Sequence, residues 1–337
     1  MTGYFVVPGG VHDPGAPSGG NVYDRRVSQG LDVVAVAGSW PRPAPEARAL
    51  LHRVLAGFED GAVVLIDGLV ACGVPDVVVP HTGRLRIAVL VHLPLADETG
   101  VDPAVAAELD VAERACLRAV DAVVATSPEA AKRLTRHHGL KHVHVVAPGT
   151  DPAPPAPGTD GMSGLLCVAS VTPRKGHDVL VEALARVADV PWHCVCVGPV
   201  PPSAHVTRLR ELIARHGLGD RVRLVGPLNG EPLERAYAAA DLFVLPSRAE
   251  TYGMVVTEAL ARGIPVVASA VPDALGDGGL LLPPGDVDAL SDALRQWFHS
   301  EDRRRRLRDA AARRRPELST WDETVRGLDR VLASLRP

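Results

Sequence analysis

Short runs of Val, Leu, Ile and Ala recur along the chain, and between them apolar residues fall at helical spacing. Before residue 150 the runs are "YFVV", "DVVAVA", "AVVLID", "RIAVLVHL", "DAVVAT" and "HVHVVA". After it come "GLLCVAS", "WHCVCVG", "RVRLVG", "DLFVLPS", "PVVAS" and "GLLLP". Near-continuous apolar runs bounded by turn residues are the mark of strands buried on both faces. Their alternation with helical stretches predicts parallel strands joined by crossover helices. In "HDVLVEALARV", Leu180, Ala183, Leu184 and Val187 fall at i, i+3, i+4 and i+7, a core-facing stripe with no chemistry implied. The rhythm breaks at "APGTDPAPPAPGTDG", residues 147–161, which reads as a linker. The pattern therefore predicts an α/β protein of two doubly wound halves: 1–150, 151–315, and a closing helix in 316–337 beyond the break at Pro316.

Length agrees, since 337 residues suit two domains of roughly 150 each. With 46% hydrophobic and only 4% aromatic residues, the cores must be built from Val, Leu and Ala. A formal charge of −4 gives no overall reason to expect nucleic acid. The arginines of "SEDRRRRLRDAAARRR" are interleaved with Glu301, Asp302 and Asp309, so the run reads as a solvated helix face. Five cysteines, an odd number in no metal spacing, sit mostly in apolar stretches and suit buried reduced thiols. "MTGYFVVPGG" lacks the basic start of a signal peptide, and no apolar stretch approaches the roughly 20 residues of a membrane span. The expectation is a cytoplasmic protein.

Ligands of open α/β sheets bind beyond the carboxyl ends of the strands, which directs attention to the loops there. After the first run, "PSGGN" places Gly19 and Gly20 before a helix expected to be capped by Asn21, with Asp24 at its N3 position. That arrangement suits a phosphate, although a plain tight turn has the same look. After "GLLCVAS", Arg174 and Lys175 stand beside Gly176, where fixed cations would neutralise a diphosphate or merely decorate an exposed loop.

The stretch "PSRAETYGMVVTEALARGIPVVAS" is the most informative. Its helix is expected to start near 251–253, aiming the amides of Gly253, Met254 and Val255 at an anion. A carboxylate repels phosphate but accepts from paired hydroxyls. Glu250 on the loop and Glu258 in the helix would thus take the hydroxyls on either side of a diphosphate, a description of a sugar nucleotide. A surface ion pair is the ordinary reading of either glutamate alone, yet Glu258 lies inside the apolar run "MVVTEALA". The aspartates of "GDVDAL" read as a helix N-cap and not as a metal site.

Together these residues resemble the E-x7-E segment of family 4 glycosyltransferases, retaining enzymes of the GT-B fold. "PRKGHD", "PSGGN" and the order of elements match as well, and the resemblance is strongest from about 164 to 285. The resemblance implies that Glu250 contacts donor sugar hydroxyls, Glu258 the ribose, Lys175 the diphosphate, and the amides of Tyr252, Gly253, Met254 and Val255 sugar and phosphate. It implies that Gly20 approaches the diphosphate and that backbone near Pro227 and Leu228 holds the nucleobase. His92 in "VLVHLPL" matches a histidine near the donor sugar, though a satisfied core histidine is the alternative. Many members carry arginine five residues before the lysine; here Ser170 stands there, and Arg174 is a candidate to supply the missing charge.

The implied reaction is retaining transfer of a sugar from a nucleoside diphosphate sugar to an acceptor hydroxyl. It needs no metal and no cofactor beyond that co-substrate, whose base the sequence hides. A small soluble acceptor is preferred to a lipid-linked one, with no nucleic-acid partner and no stable membrane insertion. An epimerase-like enzyme of the same fold and a non-catalytic nucleotide-sugar-binding protein are the rivals.

Overall fold

The computed structural model describes residues 3–11, 18–98 and 100–336. Stretch 12–17 of the glycine-rich loop lies outside the described residues. The chain divides into two compact units: Met1–Gly149 with Trp321–Pro337, and Thr150–Thr320.

Each of the twelve apolar runs supplies a strand. The first unit holds β1 (Gly3–Pro8), β2 (Leu31–Val36), β3 (Val63–Asp67), β4 (Arg86–Val91), β5 (Ala122–Ala125) and β6 (His144–Val145), in the sheet order β2-β1-β3-β4-β5-β6. The second holds β7 (Gly164–Val168), β8 (His193–Val197), β9 (Val222–Gly226), β10 (Leu242–Leu245), β11 (Val266–Ser269) and β12 (Gly279–Leu282), in the order β12-β11-β10-β7-β8-β9. Every pairing is parallel. Strand order reverses between β1 and β3 in the first sheet and between β7 and β10 in the second, so each has a switch point where α/β proteins place ligands.

Burial follows from alternation of side chains across each strand. In the first sheet, Val6, Val64, Ile66, Ile87 and Val89 pack with Leu51, Leu55 and Cys116. Their neighbours Phe5, Leu65, Leu90 and Val124 pack on the opposite face with Tyr23, Val27, Leu328, Val331 and Leu332. The last three come from the helix Trp321–Ser334, which therefore completes the core of the first unit. Tyr23 fixes the arrangement, since its hydroxyl donates to Val146 O at 2.9 Å and its ring meets Trp321 edge-on at 6.0 Å. The second sheet is sandwiched likewise, with Leu165, Cys167, Leu242 and Val244 on one face and Leu166, Phe243 and Leu245 on the other.

Two local expectations are corrected. The Gly19–Val27 helix is capped by Ser18, whose Oγ accepts from Asn21 N at 3.0 Å. "SGGN" offers two capping residues three apart, and the earlier one wins; Asp24 then falls mid-helix on the inner side, almost wholly buried. The proline-rich 147–161 segment is also no free linker. Ala156 N donates to Arg262 O and Gly158 N to Ala238 O, both at 2.9 Å. Buried Asp241 accepts from the amides of Thr159, Gly161 and Gly164 at 2.8–3.0 Å. One carboxylate thus satisfies three donors and straps the segment to the second unit.

The arginine-rich tail has structural partners. Arg304 donates to Trp297 O and Phe298 O, Arg315 to Ala261 O and Ala153 O, while Arg305 and Arg306 pair with Asp302. Asp286 caps the Val287–His299 helix through Ala289 N at 2.9 Å. Among the described residues no helix is long and apolar enough to cross a membrane.

Candidate active site

In the second unit, β7 and β10 lie side by side at the switch point, and the loops that leave them carry Arg174, Lys175 and Glu250. Backbone geometry brings the loops together. Gly176 has φ +67°, and a Cβ there would lie 2.1 Å from Pro246 O, so only glycine permits the approach. Arg248 N donates to Arg174 O at 2.7 Å, and the Arg248 guanidinium takes Asp178 in a bidentate grip at 2.8 and 2.7 Å.

On this frame Lys175 Nζ donates to Glu250 Oε1 at 2.5 Å, and Ser247 Oγ donates to the same oxygen at 2.7 Å. Arg174 Nη1 donates to Ala249 O at 3.2 Å and stands 3.5 Å from Glu250 Oε2. The carboxylate of Glu250 is largely buried, while both cations keep some solvent access. Two cations and one anion leave an excess positive charge at the strand ends. Arg174 is partly committed to holding the loop, a role its sequence position did not reveal.

The helix after this loop runs Met254–Ala261, a little later than expected, because Gly253 at φ +95° ends the loop instead of joining the helix. A Cβ on Gly253 would meet Val271 Cγ1 at 2.5 Å. The amides of Met254 and Val255 have no intrahelical acceptor, as in any first helical turn, and no side chain caps them. Tyr252, half-buried, precedes them.

Glu258 lies about one turn into the helix. Tyr237 OH donates to its Oε2 at 2.7 Å, and Arg262 Nη1 donates to its backbone carbonyl at 2.8 Å while the guanidinium lies 4.4 Å over the Tyr237 ring. Burial raises the Glu258 carboxyl above the usual range, opposed by the Tyr237 hydrogen bond and by Arg262. Pro227 and Leu228 follow β9, at the sheet edge beyond β8 and away from the β7–β10 pair.

In the first unit, three elements converge on His92 just past β4. Its Nε2 is 2.7 Å from Oδ1 of Asp24 on the first helix and 3.5 Å from Oδ2 of Asp67 at the end of β3. Gly20 lies against the imidazole, where a Cβ would come within 3.2 Å of Cδ2, and Tyr23 meets the ring edge-on. Gly19 opens the same helix. Burial disfavours a charged imidazole, but the two carboxylates outweigh it and push His92 up to about 9. Asp67 is raised to about 8, by burial first and by the negative charge of Asp24 next, with His92 pulling the other way. The two carboxylates thus favour the imidazolium form of His92, and burial favours the protonated form of Asp67. Asp24 and Asp67 escaped the sequence reading. Asp67 closes an apolar strand run, a signal present in the sequence, whereas Asp24 reads there as the N3 residue of a helix capped by Asn21.

Residues 160–314 match the sequence model of the family described as "Glycosyl transferases group 1". Among curated proteins, the chain is 34% identical over 247 residues to the D-inositol 3-phosphate glycosyltransferase of Xylanimonas cellulosilytica, a match covering 66% of this chain and 59% of that protein. It is 32% identical over 292 residues to the D-inositol 3-phosphate glycosyltransferase of Streptomyces coelicolor, covering 75% and 62%. The chain thus spans about three fifths of the length of these relatives.

Among solved structures, sucrose-phosphate synthase from Thermosynechococcus elongatus aligns over 99% of both chains with a TM-score of 0.79 at 22% identity. Anabaena HepE in complex with UDP and glucose aligns over 99% of this chain and 100% of that one, with a TM-score of 0.78 at 17% identity. The fold is accordingly that of two-domain GT-B glycosyltransferases, and its second unit carries the match to the group 1 glycosyltransferase family.

Proposed function

We propose that this protein is a retaining glycosyltransferase that moves a sugar from a nucleoside diphosphate sugar to an acceptor hydroxyl without a metal ion. The observation that carries the reading is the Lys175–Glu250 pair at the β7–β10 switch point, beside the uncapped amides of Met254 and Val255. A cation and free amides suit the diphosphate; a buried carboxylate suits sugar hydroxyls.

In this reaction the bond from the anomeric carbon to the diphosphate oxygen breaks and a bond to the acceptor oxygen forms on the same face. The acceptor proton passes to the departing phosphate. Lys175, Arg174 and the helix amides stabilise the charge that develops on the leaving group. Glu250 accepts from the sugar hydroxyls and Glu258 from the ribose. Tyr237 and Arg262 hold Glu258 in place. Pro227 and Leu228 hold the base through backbone, and the imidazolium of His92 donates to a sugar hydroxyl. Gly20 keeps the backbone close to that ring.

The proposed donor is a UDP-sugar, supported by the HepE complex with UDP and glucose. The proposed acceptor is a small soluble polyol or sugar, supported by the names of the curated relatives and of the sucrose-phosphate synthase. Such substrates fit a cytoplasmic enzyme.

A thermal-shift panel of UDP, GDP, ADP, TDP and their common sugars, run on wild type and Glu258→Ala, tests the site. A ligand that binds only the folded state raises the midpoint by mass action. The reading requires one nucleotide family to stabilise wild type and to lose that effect in the variant. No shift at millimolar concentration would sink it. Retention is tested separately by NMR of the anomeric proton of the first product.

A further inference from the structure

A second cluster in the first unit has no part in that reaction. It lies between the helix Pro103–Ala119 and the last turn of the helix Pro128–His138. Asp110, His137 and His138 each offer a ligand atom, and the three atoms lie within 4.8 Å of one another. The two rings meet edge-on with centroids 4.7 Å apart, and His137 Nε2 contacts Asp110 Oδ1.

His138 is the informative member. Its side chain is fully buried, and its Nε2 lies 3.0 Å from Oε2 of the equally buried Glu113, whose Oε1 accepts from Leu95 N. With Nε2–H donating to that carboxylate, Nδ1 is the ring nitrogen left to accept or to ligate. That Nδ1 is buried and has no hydrogen-bond partner among the described residues. A carboxylate fixing one ring nitrogen while the other waits for an ion is the arrangement that surrounds most metal-bound histidines. An unpaired buried acceptor otherwise costs stability.

We propose that Asp110, His137 and His138 bind a divalent transition ion of the zinc type, with Glu113 setting the tautomer of His138. Two imidazoles and one carboxylate are a borderline donor set that suits Zn²⁺, Co²⁺ or Ni²⁺. Ligands about 2 Å from a tetrahedral ion stand roughly 3.3 Å apart, so the cluster must draw inward. His137, about half exposed, is free to swing, and solvent completes the coordination. Arg114, 3.4 Å from Asp110 Oδ2, and Arg118, whose Nε donates to His138 O, oppose a cation. The site is therefore weaker than a closed four-ligand zinc site. Bound, the ion pins the end of one helix to the middle of its neighbour.

The test uses the full chain without a histidine tag, stripped with chelator and dialysed against micromolar Zn²⁺ or Co²⁺. Wild type should hold one more ion per chain than His137→Ala or Asp110→Asn and should show cobalt absorption bands that both variants lack. Affinity should fall at least tenfold in each variant, with an unchanged circular dichroism spectrum confirming the fold. Equal metal content in wild type and both variants, or none in any, would overturn the proposal. The transferase assay is not involved, so failure here leaves the reading of Lys175 and Glu250 untouched.

Discussion

At His92 the contest is between burial, which disfavours the imidazolium, and Asp24 with Asp67, which favour it; the carboxylates win. Asp24→Asn removes the nearer charge at nearly constant volume. The His92 pKa should then drop by at least one unit from about 9, read from its ring proton shifts by NMR. The stability consequence has a definite sign. The folded value lies above the ordinary 6.5 of histidine. The contribution is thus full below pH 6.5 and lost as pH rises through about 9. Asp67, also raised, changes in the same direction. Urea denaturation at pH 6 and pH 10 should show wild type losing more stability than Asp24→Asn. At the other site, Lys175→Ala removes the cation aimed at the leaving group and should lower kcat by about 100- to 1,000-fold. Arg174→Ala, which first frees a loop carbonyl, should cost less. Steady-state kinetics with the donor found by thermal shift gives both numbers. If the two variants lose equal activity, Arg174 serves the leaving group fully in place of the absent arginine at Ser170.

The two loops of the second unit depend on glycines whose neighbours leave no room. Gly176→Ala would press a methyl onto Pro246 O, and Gly253→Ala onto Val271 Cγ1, both at positive φ. Left-handed strain alone costs about 1–3 kcal/mol, and the clashes add to it. Gly263, at φ +66°, has open space where a Cβ would go. Gly263→Ala should therefore show only the strain, while Gly176→Ala and Gly253→Ala show larger drops in denaturation midpoint. Equal losses at all three would mean that the loops yield. These elements also show what a sequence reveals. Strands buried on both faces announce themselves as apolar runs, so β3, β4, β10 and β11 were plain. Helix starts were less so, since Ser18 and Asn21 are both good caps and Gly253 only shows its left-handed φ in three dimensions. Glu250 and Lys175 could be placed at strand ends, yet their hydrogen bond spans 75 positions and follows from the β7–β10 adjacency alone. The group of Asp24, Asp67 and His92 is harder still, because three separate elements must converge before any of them has meaning.

At the scale of the whole molecule, the two units differ in how the chain builds them. The second is one continuous stretch, Thr150–Thr320, whereas the first needs Trp321–Pro337 from the far end. Leu328, Val331 and Leu332 fill the face of the first sheet formed by Phe5, Leu65 and Leu90, and Thr324 Oγ1 donates to Ala147 O at 2.8 Å. Removing that helix uncovers the apolar face of the first sheet that Leu328, Val331 and Leu332 cover. A fragment of residues 150–320 should therefore fold alone, and it should be stabilised by the same nucleotide as the full chain if the proposed donor site is confined to it. Residues 1–149 should aggregate or remain molten. Adding a peptide of residues 319–337 should restore cooperative unfolding to residues 1–149, because the missing piece is a packing surface and not a covalent link. Hydrogen exchange gives the sharper measurement: with the peptide present, amides of β1, β3 and β4 should gain protection together. If residues 1–149 unfold cooperatively without the peptide, the closing helix merely covers a sheet that is stable in its own right.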